Sequence, residues 1–346
     1  MQWTSSLVLI AVLVPASVVG QWTDDLVQAA ERGDAAAVQD LLDEHAQEIK
    51  RENSGLPAVK AAAELGHTEV VQVLLDSPAV AHRTTSMTAV ALAAKGSFVE
   101  TVRTIVNSKG NVWLKHWALV GAVQGERIDL ARSLLAEGAK PNPPTLVVVP
   151  GQTQPVPQTL LPKRAHQGGF EIIELLLKWG ADPNLANQEG TPLMAAARGG
   201  RVEVIRLLLV AGAEVNAVDM QGRTALSHAA ENRWTEAVRV LLSSGADLEK
   251  KNREGRTALM ETAGSSQTSM MDVLLQWEAD IDATDIEGRT PLMIAAGQGR
   301  LDNVRLLLAA EADVDVRDDQ GRTAIDFAGD RKRDDIVEVI ESASGP

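Results

Sequence analysis

The chain has 346 residues, long for one compact domain and well suited to an elongated array. Apolar residues make up 45%, with seven Trp, three Phe and no Tyr, so the core must come mostly from Leu, Val, Ile and Ala, which suits thin, closely packed helices. The 47 acidic residues against 33 basic ones give a net charge of -14, which disfavours nucleic acid and anionic surfaces, and the absence of cysteine excludes disulfides, thiolate metal sites, thiol catalysis and a cysteine-borne lipid anchor.

The N-terminal stretch "MQWTSSLVLIAVLVPASVVGQWTDD" has no charged side chain before Asp24. Leu7 to Val14 is apolar, Pro15 interrupts it, and Val18 and Gly20 are placed for cleavage before Gln21, as in a secretory signal peptide. The segment departs from that pattern in having no Lys or Arg at its start. Residues 1–20 are expected to be removed on export to a secreted or periplasmic location. The alternative is a membrane anchor left uncleaved, for which the apolar run is short.

Two-helix units follow. "DDLVQAAERGDAAAVQDLL" opens one with Asp24 as its cap, and "PAVKAAAELGHTEVVQVLL" opens the next, with Pro57 placed 33 residues on. Further units start at Thr88 and Trp117, at intervals of 31 and 29 that imply shortened loops, and the degenerate set spans residues 22–140. Between Pro141 and Pro162 lie seven of the fourteen prolines, in "PNPPTLVVVPGQTQPVPQTLLP". Residues 141–158 therefore read as an insertion, either an elongated hairpin tip or a finger for a partner, and residues 143–158 as the internal segment proteases cut first. Thr159 is expected to cap the next helix, with Pro162 tolerated in its first turn.

From there the phase is regular. Thr191, Thr224, Thr257, Thr290 and Thr323 are each 33 residues apart, followed by "TPLMAAA", "TALSHAA", "TALMETA", "TPLMIAA" and "TAIDFAG". The Thr hydroxyl can cap a helix start, and Pro192 or Pro291 fits the first helical position. Paired alanines allow close helix approach, while "VEVIRLLL" and "LDNVRLLL" supply the apolar stripe of a second helix. "DMQG", "NREG", "DIEG" and "DDQG" read as β-turns. A period of this length signals stacked supersecondary units.

These residues resemble ankyrin repeats, most strongly over 185–341, with the "GAD" and "GAE" segments after the second helices fitting as well. Residues 159–341 form the C-terminal array and 342–346 a tail. The resemblance implies an all-α solenoid of paired antiparallel helices with β-hairpin-like loops, about ten units in all. The family signature's His is replaced by Met194, Ser227, Met260, Met293 and Asp326, so its bond between repeats is not expected, and the methionines are read as packing.

Catalytic patterns are missing. His45, His67, His82, His116, His166 and His228 lack metal-ligand spacing. "GQGRLD" lies in an inter-helix turn rather than a phosphate loop, and "DVDVRDDQG" is a repeat hairpin rather than a calcium loop. No enzyme, cofactor, metal or small-molecule substrate is expected. The function implied by the resemblance is a scaffold binding a protein through a concave face of hairpin tips and first helices. Identity must then sit in variable positions: Met220, Gln221, Arg253, Glu254, Ile286, Glu287, Asp319 and Gln320 at the tips, and Arg198, His228, Glu231, Glu261 and Ile294 along the first helices. Trp234 is an open candidate, while Trp179 and Trp277, in equivalent places, read as packing. A membrane role is expected only if the N-terminal segment stays uncleaved.

Overall fold

The computed structural model describes residues 16–52, 55–81, 83–109, 112–142, 160–266 and 268–343. Residues 1–15 of the expected leader, Thr159 and residues 143–158 of the insertion lie outside them. Among the described residues there are twenty helices and no strand, with one isolated bridge between Asn187 and Gly190. The chain falls into two compact units, residues 1–140 and 141–346.

In the first unit, α1 (Ala16–Arg32), α3 (Gly55–Leu65), α5 (Arg83–Gly96) and α7 (Val112–Gln124) stack on one another. Helices α2 (Ala35–Glu52), α4 (Thr68–Asp76), α6 (Val99–Lys109) and α8 (Ile128–Ala136) each pack on the helix before them. Small residues set the spacing: Ala62, Ala63, Ala93, Ala94 and Ala122 are fully buried, and a Cβ on Gly121 would overlap the Ala91 carbonyl. Helix starts differ here from the sequence expectation. Asp24 is not a cap, because α1 is already helical from Ala16, and Trp22 anchors this stretch by stacking on His45 of α2 with ring centroids 5.2 Å apart. Thr88 and Trp117 likewise lie inside α5 and α7, since no Asp-x-x-Gly turn precedes them to delay the helix.

The second unit stacks α9 (Leu160–Gln167), α11 (Pro192–Arg198), α13 (Ala225–Glu231), α15 (Ala258–Ala263), α17 (Pro291–Gly297) and α19 (Ala324–Asp330) in a row. Each is followed by a second helix packed on it: α10 (Phe170–Lys178), α12 (Val202–Val210), α14 (Thr235–Ser243), α16 (Ser269–Gln276), α18 (Leu301–Ala309) and α20 (Asp334–Ala343). Second helices bury branched side chains such as Ile205, Leu208, Val238 and Leu241 completely, each contributing about 1.5–3 kcal/mol.

The threonine phase is a row of caps. The hydroxyls of Thr191, Thr224, Thr257 and Thr290 accept the amides of Met194, Ser227, Met260 and Met293 at 3.2–3.4 Å. Each such cap contributes about 1 kcal/mol. At Thr323 the hydroxyl instead donates to Asp326 at 3.0 Å, and the same carboxylate takes the Thr323 amide at 2.8 Å. The residues in the signature's His position thus act within their own repeat. Met194 and Met293 are buried, and their Sδ atoms also accept the cap amides at 3.4 and 3.5 Å.

Candidate functional site

The tips between repeats are built by one side chain each. Oδ1 of Asp219, Asn252, Asp285 and Asp318 accepts two backbone amides, two and four residues on, at 2.8–3.0 Å. A glycine completes each turn in the left-handed region. At Gly255 (φ 73°) a Cβ would also sit 2.7 Å from the Ile286 amide, so the next tip packs directly on bare backbone. Adjacent tips are then tied together: Arg253 donates its amide to the Gln221 carbonyl (2.9 Å), Ile286 to Glu254 (3.1 Å) and Asp319 to Glu287 (3.1 Å). The result is a continuous, fixed row of turns.

That row brings eight of the candidate residues together and exposes all of them: Met220, Gln221, Arg253, Glu254, Ile286, Glu287, Asp319 and Gln320. Met220 is 64% exposed and Ile286 67%, which folding does not reward. Behind the tips runs a series of arginines that the sequence reading had not singled out. Arg223, Arg289 and Arg322 each bond the carboxylate of their own tip, with closest N–O distances of 3.2, 2.7 and 2.8 Å. Burial works to raise the Asp219, Asp285 and Asp318 carboxyls, but the amide and guanidinium hydrogen bonds outweigh it and hold all three below the usual carboxylate range.

The first-helix candidates divide. Glu231 is exposed and pairs with Arg223 at 3.3 Å, while Ile294 is half-buried. Arg198 folds back on its own tip, donating to the Glu189 carbonyl at 2.9 Å. His228 requires correction: it is 1% exposed and not on the free surface. Its Nε2 lies 3.0 Å from Asp219 Oδ2, because this helix position points at the tip carboxylate. Burial, then the Arg223 and Arg198 charges, lower the imidazole pKa against the pull of Asp219, so His228 is neutral at pH 7 and donates to the ionised carboxylate. Glu261 occupies the same position one repeat on, with the polarity reversed: its Oε1 accepts from Asn252 Nδ2 at 2.9 Å. Its carboxyl is pushed up to about 7, first by burial.

Trp234 sits at the other end of α13 from the tip, in the turn before α14. It is 44% exposed, but its indole N–H donates to the Arg198 carbonyl at 3.0 Å and its ring covers Gly200, so it ties neighbouring repeats together. Arg201, Arg300 and Arg333 make the same kind of bond from equivalent turns, to His166, Gly264 and Gly299 carbonyls at 2.8–3.0 Å. Trp179 and Trp277 both cap the ends of second helices and are 42% and 38% exposed. Another tie was missed from sequence. Asn184 accepts the Glu214 amide (2.8 Å) and donates to the Gly212 carbonyl (3.0 Å), and Asn216 repeats this with Asp247 and Gly245.

On the first-helix side, α13, α15, α17 and α19 with their turns enclose a cleft of roughly 520 Å³, lined among others by Glu231, Arg256, Glu261, Ile294 and Phe327. Among the described residues, no group of three or more His, Asp or Glu could hold a metal ion.

The family model for ankyrin repeats in three copies matches residues 26–145, 119–219, 163–252, 209–285, 235–318 and 259–344, which together cover most of the chain. The chain belongs to the ankyrin-repeat family. The matches extend through both units of the ankyrin array, including the first, where the signature is weakest in sequence. Ankyrin repeats in general mediate protein–protein binding rather than catalysis. No curated protein matches this chain.

Proposed function

We propose that this ankyrin protein is an exported, non-catalytic scaffold that holds a protein partner against the tips and first helices of its second unit. The observation that carries the reading is the tip row. Its backbone is fixed by hydrogen bonds from tip to tip, while Met220 and Ile286 stand out from it among charged and polar side chains. Apolar anchors ringed by polar groups on a rigid frame are the makeup of binding hot spots, where one truncation costs about 2 kcal/mol or more. Replacing both, Met220→Asp with Ile286→Asp, is predicted to abolish capture of the native partner and leave the melting temperature nearly unchanged. Capture at wild-type strength would place the partner on another surface.

Export is proposed on the apolar run from Leu7 to Val14 and the small residues before Gln21. Cleavage there would keep Trp22, and its stacking on His45, in the mature chain. Among the described residues no helix is long and apolar enough to cross a membrane. N-terminal sequencing of the mature protein is predicted to begin at Gln21. A chain starting at Met1 in the cytoplasm contradicts export, and an intact N-terminus in the membrane fraction replaces release with tethering.

A further inference from the structure

Three of the four tip arginines are held by the aspartate four residues before them; the fourth is not. Asn252 stands where Asp219, Asp285 and Asp318 stand, so Arg256 turns to the exposed Glu254 at 3.1 Å and lies 3.7 Å from Asp285. The atom nearest Asp285 is its Nε, which is buried and, at that distance, makes no hydrogen bond among the described residues. Asn252 spends its amide on Glu261 Oε1, and Glu261 Oε2 is buried without a partner as well. Buried polar atoms without a hydrogen bond favour a ligand that supplies one. Both side chains line the same cleft of roughly 520 Å³, a size suited to a ligand or a pair of partner side chains.

The cleft opens for a reason legible in the register. Seven residues after the capping threonine come Arg198 and Glu231 in two repeats, then Gly264 and Gly297 in the next two. The missing side chains leave Ile294 and Phe327 in the lining, with the Arg322 guanidinium over one face of the Phe327 ring, 4.2 Å from its centroid. Five arginines and three carboxylates line the cleft, the reverse of a chain in which acidic residues outnumber basic ones 47 to 33.

We propose that this cleft is the subsite for an acidic residue of the protein partner flanked by an aliphatic one, the carboxylate lying against Arg256 and the aliphatic side chain on Ile294 and Phe327. The subsite rests on the reading that this face binds a protein. Arginine favours a carboxylate because its planar fork can meet both oxygens. Glu261 sets the pH response. Burial first, then the Glu231 charge, raise its carboxyl to about 7 against the Asn252 hydrogen bond and the Arg223 and Arg256 charges. From α17 its neighbour in register is the apolar Ile294. Protonated, Glu261 can donate to the incoming carboxylate; ionised, it repels it. Binding therefore tightens from pH 8 to pH 6.

The test is panning of random phage-displayed dodecapeptides on the full chain, with depletion on Gly264→Leu. Gly264 has φ −79°, and a Cβ there meets only Gln298 and Ile294 side chains at 3.6 and 3.7 Å, so this substitution fills the cleft without straining the backbone. If that variant misfolds by circular dichroism, Arg256→Gln takes its place in the depletion. Retained peptides are expected to carry Asp or Glu beside Leu, Ile, Val or Phe. They should bind about tenfold more tightly than their Asn or Gln counterparts and lose that margin on Arg256→Gln. Retention of basic or uncharged peptides, or of none that distinguishes the wild type from the depleting variant, overturns the subsite. If no acidic peptide is retained while the Met220→Asp, Ile286→Asp pair still loses the native partner, the subsite falls and the binding face stands. A native partner indifferent to that pair discards the face itself.

Discussion

Glu261 is a carboxyl held in the fold at a cost. Its pKa is raised by burial, so the folded chain keeps the proton to about pH 7 while the unfolded chain gives it up in the ordinary carboxylate range. The folded state therefore binds more protons between those values, and stability falls as pH rises through that window, reaching its full penalty above about pH 7. The penalty is on the order of 3 kcal/mol at most. Glu261→Gln keeps an acceptor for Asn252 and removes the charge. Urea unfolding is expected to show the variant and wild type alike at pH 4 and the variant more stable at pH 8; an equal gap at both pH values would contradict the assignment. His228, in the same register, shows the opposite solution, a neutral donor against an ionised Asp219. A sequence shows both residues as polar positions on a helix. Only the nine-residue reach back to the tip turns one into a buried lock and the other into a strained carboxyl.

At the scale of the elements, one turn recurs with two chemistries. The second residue after α10, α12, α14, α16 and α18 takes positive φ; it is glycine at Gly180, Gly212 and Gly245, but glutamate at Glu278 (φ 63°) and Glu311 (φ 66°). A side chain in that region strains the backbone by about 1–2 kcal/mol, offset in part by the greater unfolded-state freedom of glycine. Glu311→Gly is therefore expected to stabilise the second unit by about 0.5–1 kcal/mol, read as a higher urea midpoint at unchanged slope. A lower midpoint would mean that the exposed Glu311 side chain makes a compensating contact. The caps and Asp-x-x-Gly turns of the second unit were legible in advance because their chemistry is local: Thr290 needs only the amide three residues on, and Asp285 only those two and four on. The helix starts of the first unit were not legible. There α1 is anchored by Trp22 on His45, a contact between helices that no local pattern announces. The bonds between repeats were missed for the same reason, since Asn184 and Arg201 act on residues about 30 positions away.

For the molecule as a whole, the family match runs through both compact units, yet the two differ in what they offer a partner. The first is built of longer first helices joined without Asp-x-x-Gly turns, whereas the second carries the hydrogen-bonded tip row and the arginine-lined cleft. Partner identity is not written in the repeat, because the residues that make the repeat are those buried in the stack. On the proposed reading it belongs to the exposed side chains of the second unit's tip row. The direct measurement is photo-crosslinking of the native complex with benzoylphenylalanine placed singly at exposed sites. In place of Gln221, Glu254 or Glu287 on the tips, the probe is predicted to trap the partner. In place of Arg206, Arg239 or Arg305 on the second helices α12, α14 and α18, it is predicted to trap none. A partner trapped from the second helices and not from the tips would contradict the binding face.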